Sequence, residues 1–245
     1  MKRLTIWAAA ALTMICASSC RFIKLDESKF GGFDDLEINI GETGTKGTIK
    51  GSEKTTTINY SDLDKIVLLS IDGSTDINIR QSENTELSLE LPENLEEYLR
   101  FDYGASACRI YLDKDYKYTN ARFDIVLGTS DLETLEINGA AELEMSRMQL
   151  GDLSIEINGA GDLDMNHIKC GNLSIEINGA GEVDAQEMDS KDIDIEINGA
   201  ADLDLGGKCA NVEIEVNGTG SVDLSRMNCS GKKNVKKSGL VSIKY

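Results

Sequence analysis

Hydrophobic and polar residues alternate with a period of two along the second half of the chain. Apolar side chains occur at Leu153, Ile155 and Ile157, and again at Leu163 and Met165 after an Asn-Gly pair. A period of two is typical of strands that bury one face, whereas a helix repeats its apolar positions every three or four residues. We therefore predict strands throughout this part of the chain.

The alternating segment occurs five times, and each copy centres on an Asn-Gly pair followed by a small residue. Successive asparagines are 20, 20, 20 and 19 residues apart. The five pairs are Asn138 and Gly139, Asn158 and Gly159, Asn178 and Gly179, Asn198 and Gly199, and Asn217 and Gly218. A fixed period of this size indicates a stacked array of short units.

Two architectures can hold such units. In an antiparallel meander, each Asn-Gly pair would be a hairpin turn. In a β-solenoid, each unit is one coil, or rung, whose strands pair in parallel with the rungs before and after it, and the Asn-Gly pairs form a structural column at a corner. The near-identity of the units favours the solenoid, because equivalent residues then lie over one another. We predict an all-β solenoid of about 20 residues per rung.

The N-terminus has the features of an export signal. Lys2 and Arg3 precede an apolar stretch over residues 4–15, and the segment 1–19 is predicted to be a signal peptide. The following Ala17-Ser18-Ser19-Cys20 resembles the lipobox of bacterial lipoproteins, which predicts a lipid on Cys20 and an outer-membrane protein that faces the periplasm or the cell surface. A plain secretory signal cleaved near Ser19 is the alternative.

The rest of the chain is predicted to be a linker, 20–32, and one domain, 33–245. Within that domain we expect a divergent half at 33–130, regular repeats at 131–230 and a C-terminal cap at 231–245. Residues 67–79 can be aligned with a repeat, with Asp72 and Gly73 in place of Asn-Gly.

Both ends of a solenoid must be closed, because open strand edges pair with other chains. Residues 92–100, which begin with Pro92, predict a short helical turn over one end. At the other end, Lys232, Lys233, Lys236 and Lys237 precede a last strand candidate at 240–245, and lysines at an edge discourage such pairing.

Three segments together resemble a known family. They are residues 70–79 (Ser-Ile-Asp-Gly-Ser-Thr-Asp-Ile-Asn-Ile), residues 93–101, and the Ile-Asn-Gly-Ala-Gly units from Leu135 onward. The sequence is similar to the GIN domain, the head domain of putative autotransporter adhesins of Bacteroides-like bacteria, over roughly residues 33–245. The resemblance implies a right-handed parallel β-helix and a role in adhesion or surface interaction, and it brings no catalytic residues.

Charge narrows the possible partners. The chain carries a net −18, and residues 131–205 alone hold 19 acidic against 3 basic residues. Such a surface argues against nucleic acid, because phosphate binding depends on Lys and Arg. In a solenoid the carboxylates would stack in columns, one of Glu136, Glu156, Glu176, Glu196 and Glu215 and another of Asp164, Asp184, Asp204 and Asp223. These columns could hold Ca²⁺, although a solvated acidic face is the expectation, with no metal site and no cofactor.

Paired carboxylates also occur in glycoside hydrolases, and polysaccharide lyases often have β-helical folds. Here the carboxylates arise from repetition, so no pair differs from the others. We predict a non-catalytic, adhesin-like structural or binding module at the cell envelope, whose partner is a protein or a glycan and whose only membrane contact is its lipid. A polysaccharide-active lyase or glycoside hydrolase is the alternative. His167, the only histidine, is expected in a surface loop.

Four cysteines follow Cys20. Cys209 and Cys229 are 20 residues apart, which is one rung, so they could form a disulfide between adjacent rungs. Cys170 is three rungs from Cys229 and cannot reach it; the sequence leaves open whether Cys108 and Cys170 are free. A further column is predicted to fill the core: Met148, Ile168, Met188 and Met227.

Overall fold

The computed structural model describes the backbone of residues 22–23 and 38–39, and residues 46–60 and 63–245 in full. The chain divides into two compact units, Met1–Thr45 and Lys46–Tyr245. In the first unit, strands β1 (Phe22–Ile23) and β2 (Ile38–Asn39) pair antiparallel. The predicted signal peptide, 1–19, and the predicted lipid site, Cys20, lie outside the described residues.

The described residues of the second unit form mainly strands, with one short 3-10 helix at Glu93–Tyr98. Its described strands are β3 (Thr48–Lys50), β4 (Thr55–Tyr60), β5 (Leu68–Gln81), β6 (Glu86–Pro92), β7 (Leu99–Gly104), β8 (Ala107–Leu112), β9 (Lys117–Thr119), β10 (Arg122–Thr129), β11 (Thr134–Ser146), β12 (Leu153–Asn166), β13 (Asn172–Asp189), β14 (Asp192–Cys209), β15 (Asn211–Cys229) and β16 (Lys233–Lys244).

Seven of these strands form a parallel stack in the order β5, β11, β12, β13, β14, β15, β16. The solenoid has about 6 turns and roughly 20 residues per rung. Asn158 of β12 lies in register with Asn138 of β11 and Asn178 of β13. The predicted solenoid is thus confirmed, and the antiparallel meander is wrong because these neighbours run in the same direction.

The core is formed by inward columns in which each side chain packs on its equivalent in the next rung. One column is fully buried from β11 to β15: Ile137, Ile157, Ile177, Ile197 and Val216. Complete burial of such a side chain contributes about 1.5–3 kcal/mol. Met148, Ile168, Met188 and Met227 are also buried, as predicted.

One spacing between asparagines, from Asn198 to Asn217, is 19 residues instead of 20. The strand pairing accommodates the missing residue away from the Asn-Gly corner. The pairing of β14 with β15 shifts between Asp204 and Gly206, after which Gly207 lies between Met188 and Met227. A Cβ at Gly207 would collide with the backbone of Met188. Because the shift falls here, the asparagine column continues in register into the last regular rung.

Strands β4, β6, β7, β8 and β10 close the N-terminal end of the stack. On the side of β5 away from β11, two strands together take the place of one rung. β8 pairs in parallel with the first part of β5, and β10 pairs in parallel with its second part. Beyond them the direction reverses, because β6 pairs antiparallel with β10, β4 with β6, and β7 with β8. The 3-10 helix begins after Pro92 and buries Leu95, so the helical turn predicted at 92–100 is present in 3-10 form.

The C-terminal end differs from the expectation that its strand starts at residue 240. β16 begins at Lys233, so Lys233, Lys236 and Lys237 lie within the last strand. Lys237 is in register with Val216, and its Nζ donates to the Val241 carbonyl oxygen at 2.6 Å. Lys233 is in register with Val212 and donates to the Met227 carbonyl oxygen at 2.5 Å. Charged residues at these inward positions oppose the stacking of a further rung.

Within residues 46–60 and 63–245, no helix has the length and apolar character needed to cross a membrane.

Candidate functional site

The asparagines of the Asn-Gly corner form a hydrogen-bonded ladder. Each Asn Nδ2 donates to Oδ1 of the asparagine one rung earlier. The four distances are 3.2 Å (Asn158 to Asn138), 3.1 Å (Asn178 to Asn158), 3.0 Å (Asn198 to Asn178) and 3.1 Å (Asn217 to Asn198). The predicted column is therefore continuous over all five regular rungs.

The same amides also reach the glutamate column beside them. Each Nδ2 donates a second hydrogen bond to the glutamate two residues earlier in its own rung. The pairs are Asn158 to Glu156 (2.9 Å), Asn178 to Glu176 (3.0 Å), Asn198 to Glu196 (3.2 Å) and Asn217 to Glu215 (3.4 Å). An amide has two N–H groups, and both are used. Every one of these carboxylates thus receives a donor.

The glycine of each pair is required by the close approach of neighbouring rungs. Gly179 has a φ of +148°, a conformation that residues with a side chain rarely adopt. A Cβ at Gly179 would also collide with the carbonyl oxygen of Gly159 in the preceding rung. Another residue at this corner would force the two rungs apart.

The ladder ends at Asp72 of β5. Asn138 Nδ2 donates to Asp72 Oδ1 at 3.0 Å, and Arg109 Nη2 contacts Asp72 Oδ2 at 2.6 Å. Both charged side chains are almost buried, with exposed fractions of 11% for Arg109 and 8% for Asp72. Lys114 Nζ lies 3.7 Å from the same carboxylate oxygen. Burial, followed by the charge of Arg109, lowers the pKa of Lys114 to about 8.

The predicted carboxylate columns occupy two sides of the solenoid, before and after the Asn-Gly corner. On the first side, burial and then the charge of Glu156 raise the pKa of Glu136. On the second side, two outward columns line a shallow groove, with Glu142, Asp162 and Glu182 in one and Glu144, Asp164 and Asp184 in the other.

Cations lie at both ends of this acidic second side. Arg122 contacts Asp76 and Glu142 at the N-terminal end, whereas Arg226 contacts Asp204 and Lys244 contacts Asp223 at the C-terminal end.

Between these ends, side-chain amides approach the carboxylates. Gln186 Nε2 donates to Asp184 Oδ1 at 2.6 Å, and Asn78 Nδ2 donates to Glu144 Oε2 at 3.0 Å. Across the part of the chain that is described, no group of three or more His, Cys, Asp or Glu residues could hold a metal ion.

His167 lies at the corner after the second side. It has a φ of 57°, and Arg147 and Glu187 at the equivalent corners of neighbouring rungs have a φ of 53°. His167 Nε2 is 2.8 Å from Glu187 Oε2, and the imidazole is half exposed. The contact joins adjacent rungs at an exposed corner.

The cysteines are distributed along one inward column and one strand of the N-terminal end. Cys209 and Cys229 form a disulfide between β14 and β15, with Cα atoms 4.6 Å apart. Cys170 is separated from Cys209 by Ser190, whose Oγ lies 3.7 Å from Cys170 Sγ. Cys108 and Cys170 are free and buried. Burial raises the pKa of Cys108 to about 12 and also raises that of Cys170, which makes both thiols poor nucleophiles at neutral pH.

Sequence reasoning missed a cluster at the N-terminal end, which we call the tyrosine triad: Tyr98, Tyr116 and Tyr118. The ring centroids of Tyr98 are 5.1 Å from Tyr116 and 6.0 Å from Tyr118, with the planes inclined by 68° and 63°. All three side chains are partly exposed. The signal that could have revealed them is their distribution, because the sequence has no Phe, Trp or Tyr between Phe123 and Tyr245.

Solved structures with a similar fold include proteins from Parabacteroides and Bacteroides species. A putative lipid binding protein from Parabacteroides distasonis superposes with a TM-score of 0.64 at 15% identity, covering 81% of this chain and 100% of its own. A putative adhesin from Bacteroides fragilis superposes with a TM-score of 0.53 at 19% identity, covering 80% of this chain and 99% of its own. Among curated proteins, none matches the sequence.

The sequence itself matches a protein-family model over residues 62–240, which include the whole ladder from Asp72 to Asn217 and the tyrosine triad. The chain belongs to the family described as putative auto-transporter adhesin, head GIN domain.

Proposed function

We propose that this protein is a non-catalytic, adhesin-like binding module of the cell envelope, exported and held at the outer membrane by a lipid on Cys20. The observation that carries the proposal is the repetition of the outward surface. From Glu156 to Glu215, each carboxylate of the glutamate column accepts a hydrogen bond from the asparagine of its own rung. A surface of this kind presents the same groups at every rung.

Such uniformity supports binding rather than cleavage. Glycoside hydrolases use two carboxyl groups with different surroundings, one that stays protonated and one that stays ionised. Glu156, Glu176 and Glu196 have matching partners, so none of them is set apart as the acid of such a pair. Membership of a family described by adhesion supports the same conclusion.

The lipid anchor rests on the Ala17-Ser18-Ser19-Cys20 sequence, and it determines where a partner can be met. Several acyl chains, each contributing about 0.8 kcal/mol per buried CH₂, hold a protein on a membrane without a spanning helix. Export also fits the disulfide between Cys209 and Cys229, since disulfides persist outside the reducing cytosol.

The anchor is tested by labelling producing cells with an alkyne fatty acid. We expect label on the wild-type chain and none on Cys20→Ser, with Cys16→Ser as the matched control that keeps the label. Label on Cys20→Ser, or no label on the wild type, would contradict lipidation at this residue.

The binding function is tested by coating beads with the purified chain and measuring attachment to host-cell layers and mucus. Attachment that free protein inhibits is the expected result. The same preparations are incubated with envelope and host polysaccharides, and release of new reducing or unsaturated ends would overturn the non-catalytic assignment. If the coated beads attach to none of these surfaces, the adhesin-like role is overturned.

A further inference from the structure

Among residues 46–60 and 63–245, aromatic side chains are concentrated at the N-terminal end of the solenoid. Six of the seven tyrosines lie between residues 60 and 118, in the divergent half, and the regular repeats contain no aromatic residue. The sides of the solenoid therefore offer carboxylates and amides, while the N-terminal end offers rings. Tyrosine is enriched at binding surfaces because its ring is apolar and its hydroxyl is polar.

The tyrosine triad is built on the core and open on its outer side. Tyr98 and Tyr118 pack against the hydrophobic core, and Tyr118 donates from its hydroxyl to the Asp113 carbonyl oxygen at 2.9 Å. Tyr116 rests on both rings, with centroids 5.1 Å from Tyr98 and 6.5 Å from Tyr118. Two rings are thus held firmly by the fold, and the third extends the apolar surface outward.

One partly buried and one exposed ion pair lie beside the rings. Arg100 Nη2 is 2.7 Å from Asp113 Oδ2, and Lys46 Nζ is 2.6 Å from Asp115 Oδ2 and 5.8 Å from the centre of the Tyr116 ring. The exposed fractions of these four side chains range from 27% to 63%, so all four are at least partly open to solvent. The two ion pairs offer both hydrogen-bond donors and acceptors, and their two positive charges balance their two negative charges.

These features fit an uncharged, polyhydroxylated ligand. One face of a sugar ring carries C–H groups that pack on an aromatic ring, and the surrounding hydroxyls can both donate to carboxylates and accept from guanidinium or ammonium groups. A strongly anionic ligand would meet the acidic field of the repeats, whose residues 131–205 carry 19 acidic against 3 basic side chains. The inclined rings make no single flat platform, which favours one sugar residue or a chain end over a stretched chain.

We propose that the tyrosine triad and its two ion pairs form a binding site for a neutral sugar residue. This inference rests on the proposed function, because it assigns the recognition surface of the adhesin-like module to the N-terminal end of the solenoid. The acidic sides then keep the module solvated and repel anionic surfaces.

The test uses the full chain and four neutral hexasaccharides, of glucose in α-1,4 and β-1,4 linkage, of mannose and of N-acetylglucosamine, with hexagalacturonate as the anionic comparison. We expect at least one neutral hexasaccharide to bind, as measured by calorimetry, and hexagalacturonate to bind more weakly or not at all. Tyr116→Ala should weaken binding about tenfold or more, because a tyrosine at the centre of the site acts as a binding hot spot. Tyr116→Phe should retain most of the affinity because the ring remains.

Tyr245→Ala is the matched control, since Tyr245 is 62% exposed in the C-terminal rung. Unchanged urea midpoints in all three variants will show that lost binding is not lost folding. If no neutral hexasaccharide binds, or if Tyr116→Ala binds as well as wild type, the sugar site is overturned, while attachment of coated beads would still support the adhesin-like role. Sugar binding without bead attachment would still support the sugar site, but it would overturn the adhesin-like role.

Discussion

Asn138 and Asp72 join the regular repeats to the divergent half through a 3.0 Å hydrogen bond in which the amide donates to the carboxylate. Each ladder amide points one N–H group toward this end, so the dipoles along the ladder add and a carboxylate lies at the positive end of the series. Arg109 then neutralises the carboxylate from β8 at 2.6 Å. The repetitive part of the fold is thus terminated by a buried ion pair from outside the repeats.

A carboxylate inside the ladder should destabilise the fold. Asn178→Asp replaces the two donors to Asn158 and Glu176 with an acceptor and places two negative charges side by side. We expect a loss of roughly 1–3 kcal/mol in the free energy of unfolding at pH 7, measured by urea denaturation. Because the new carboxyl is more easily protonated in the folded state, the loss should shrink as the pH falls below about 5.

The control for that variant is Ser174→Asp, which adds the same charge on the same side where the next rung already has Asp194. It should cost much less. An equal loss from both variants would mean that net charge, and not the ladder, determines the effect.

Removing the charge of Glu136 should stabilise the protein at neutral pH. Its pKa is raised in the folded state by burial and by Glu156, so the folded state binds this proton more tightly than the unfolded chain does. Its contribution to stability is therefore favourable in acid and is lost as the pH rises through the raised pKa. We expect Glu136→Gln to raise the urea midpoint at pH 7 and to leave it unchanged near pH 3. Glu182→Gln, at an exposed position, should give a smaller change at pH 7.

Glycine at the corner should not tolerate a side chain. We expect Gly179→Ala to lose about 3 kcal/mol or more, since both its φ of +148° and the carbonyl oxygen of Gly159 oppose a Cβ. Gly151→Ala is the control, because a Cβ there meets nothing within 4 Å. Thermal unfolding followed by circular dichroism distinguishes the two, and a similar Tm for both variants would contradict the role of the corner.

The disulfide between Cys209 and Cys229 closes a loop with a sequence separation of 20 residues. In the chain-entropy description, a loop of this length stabilises the fold by about 3 kcal/mol. We expect mass spectrometry of unreduced peptides to find these two residues linked. Reductant should lower the Tm of the wild type and leave that of a Cys209→Ser/Cys229→Ser variant unchanged. Peptides linked through Cys170 would contradict the assignment.

The regular rungs were predictable because repetition allows each position to be compared with its equivalents. The columns of Ile, Asn and Glu follow directly from the period. Arg109 and the tyrosine triad were not predictable in the same way, since they occur once and their neighbours come from distant segments. The start of β16 was also missed, because Lys233 and Lys237 take positions that are apolar in the other rungs.

Those two lysines give a further prediction about association. In Lys233→Val/Lys237→Ile, the terminal rung would continue the apolar columns of Val212 and Val216. We expect this variant to form larger species with rising concentration in sedimentation velocity runs, because its open edge could then accept another chain. Lys236→Gln changes an outward lysine and should behave as the wild type does. Identical sedimentation of all three proteins would show that the inward lysines are not what blocks stacking.

The regular rungs separate two ends of the solenoid that differ chemically, so the number of rungs can change in evolution without changing either end. Each regular rung bonds only to the rung before and the rung after it, so duplicating one unit by recombination would leave both termini of the stack chemically intact. Each duplication would lengthen the spacer between the tyrosine triad and the lysine-bearing strand by about 4.8 Å. Reach could thus evolve independently of what is recognised.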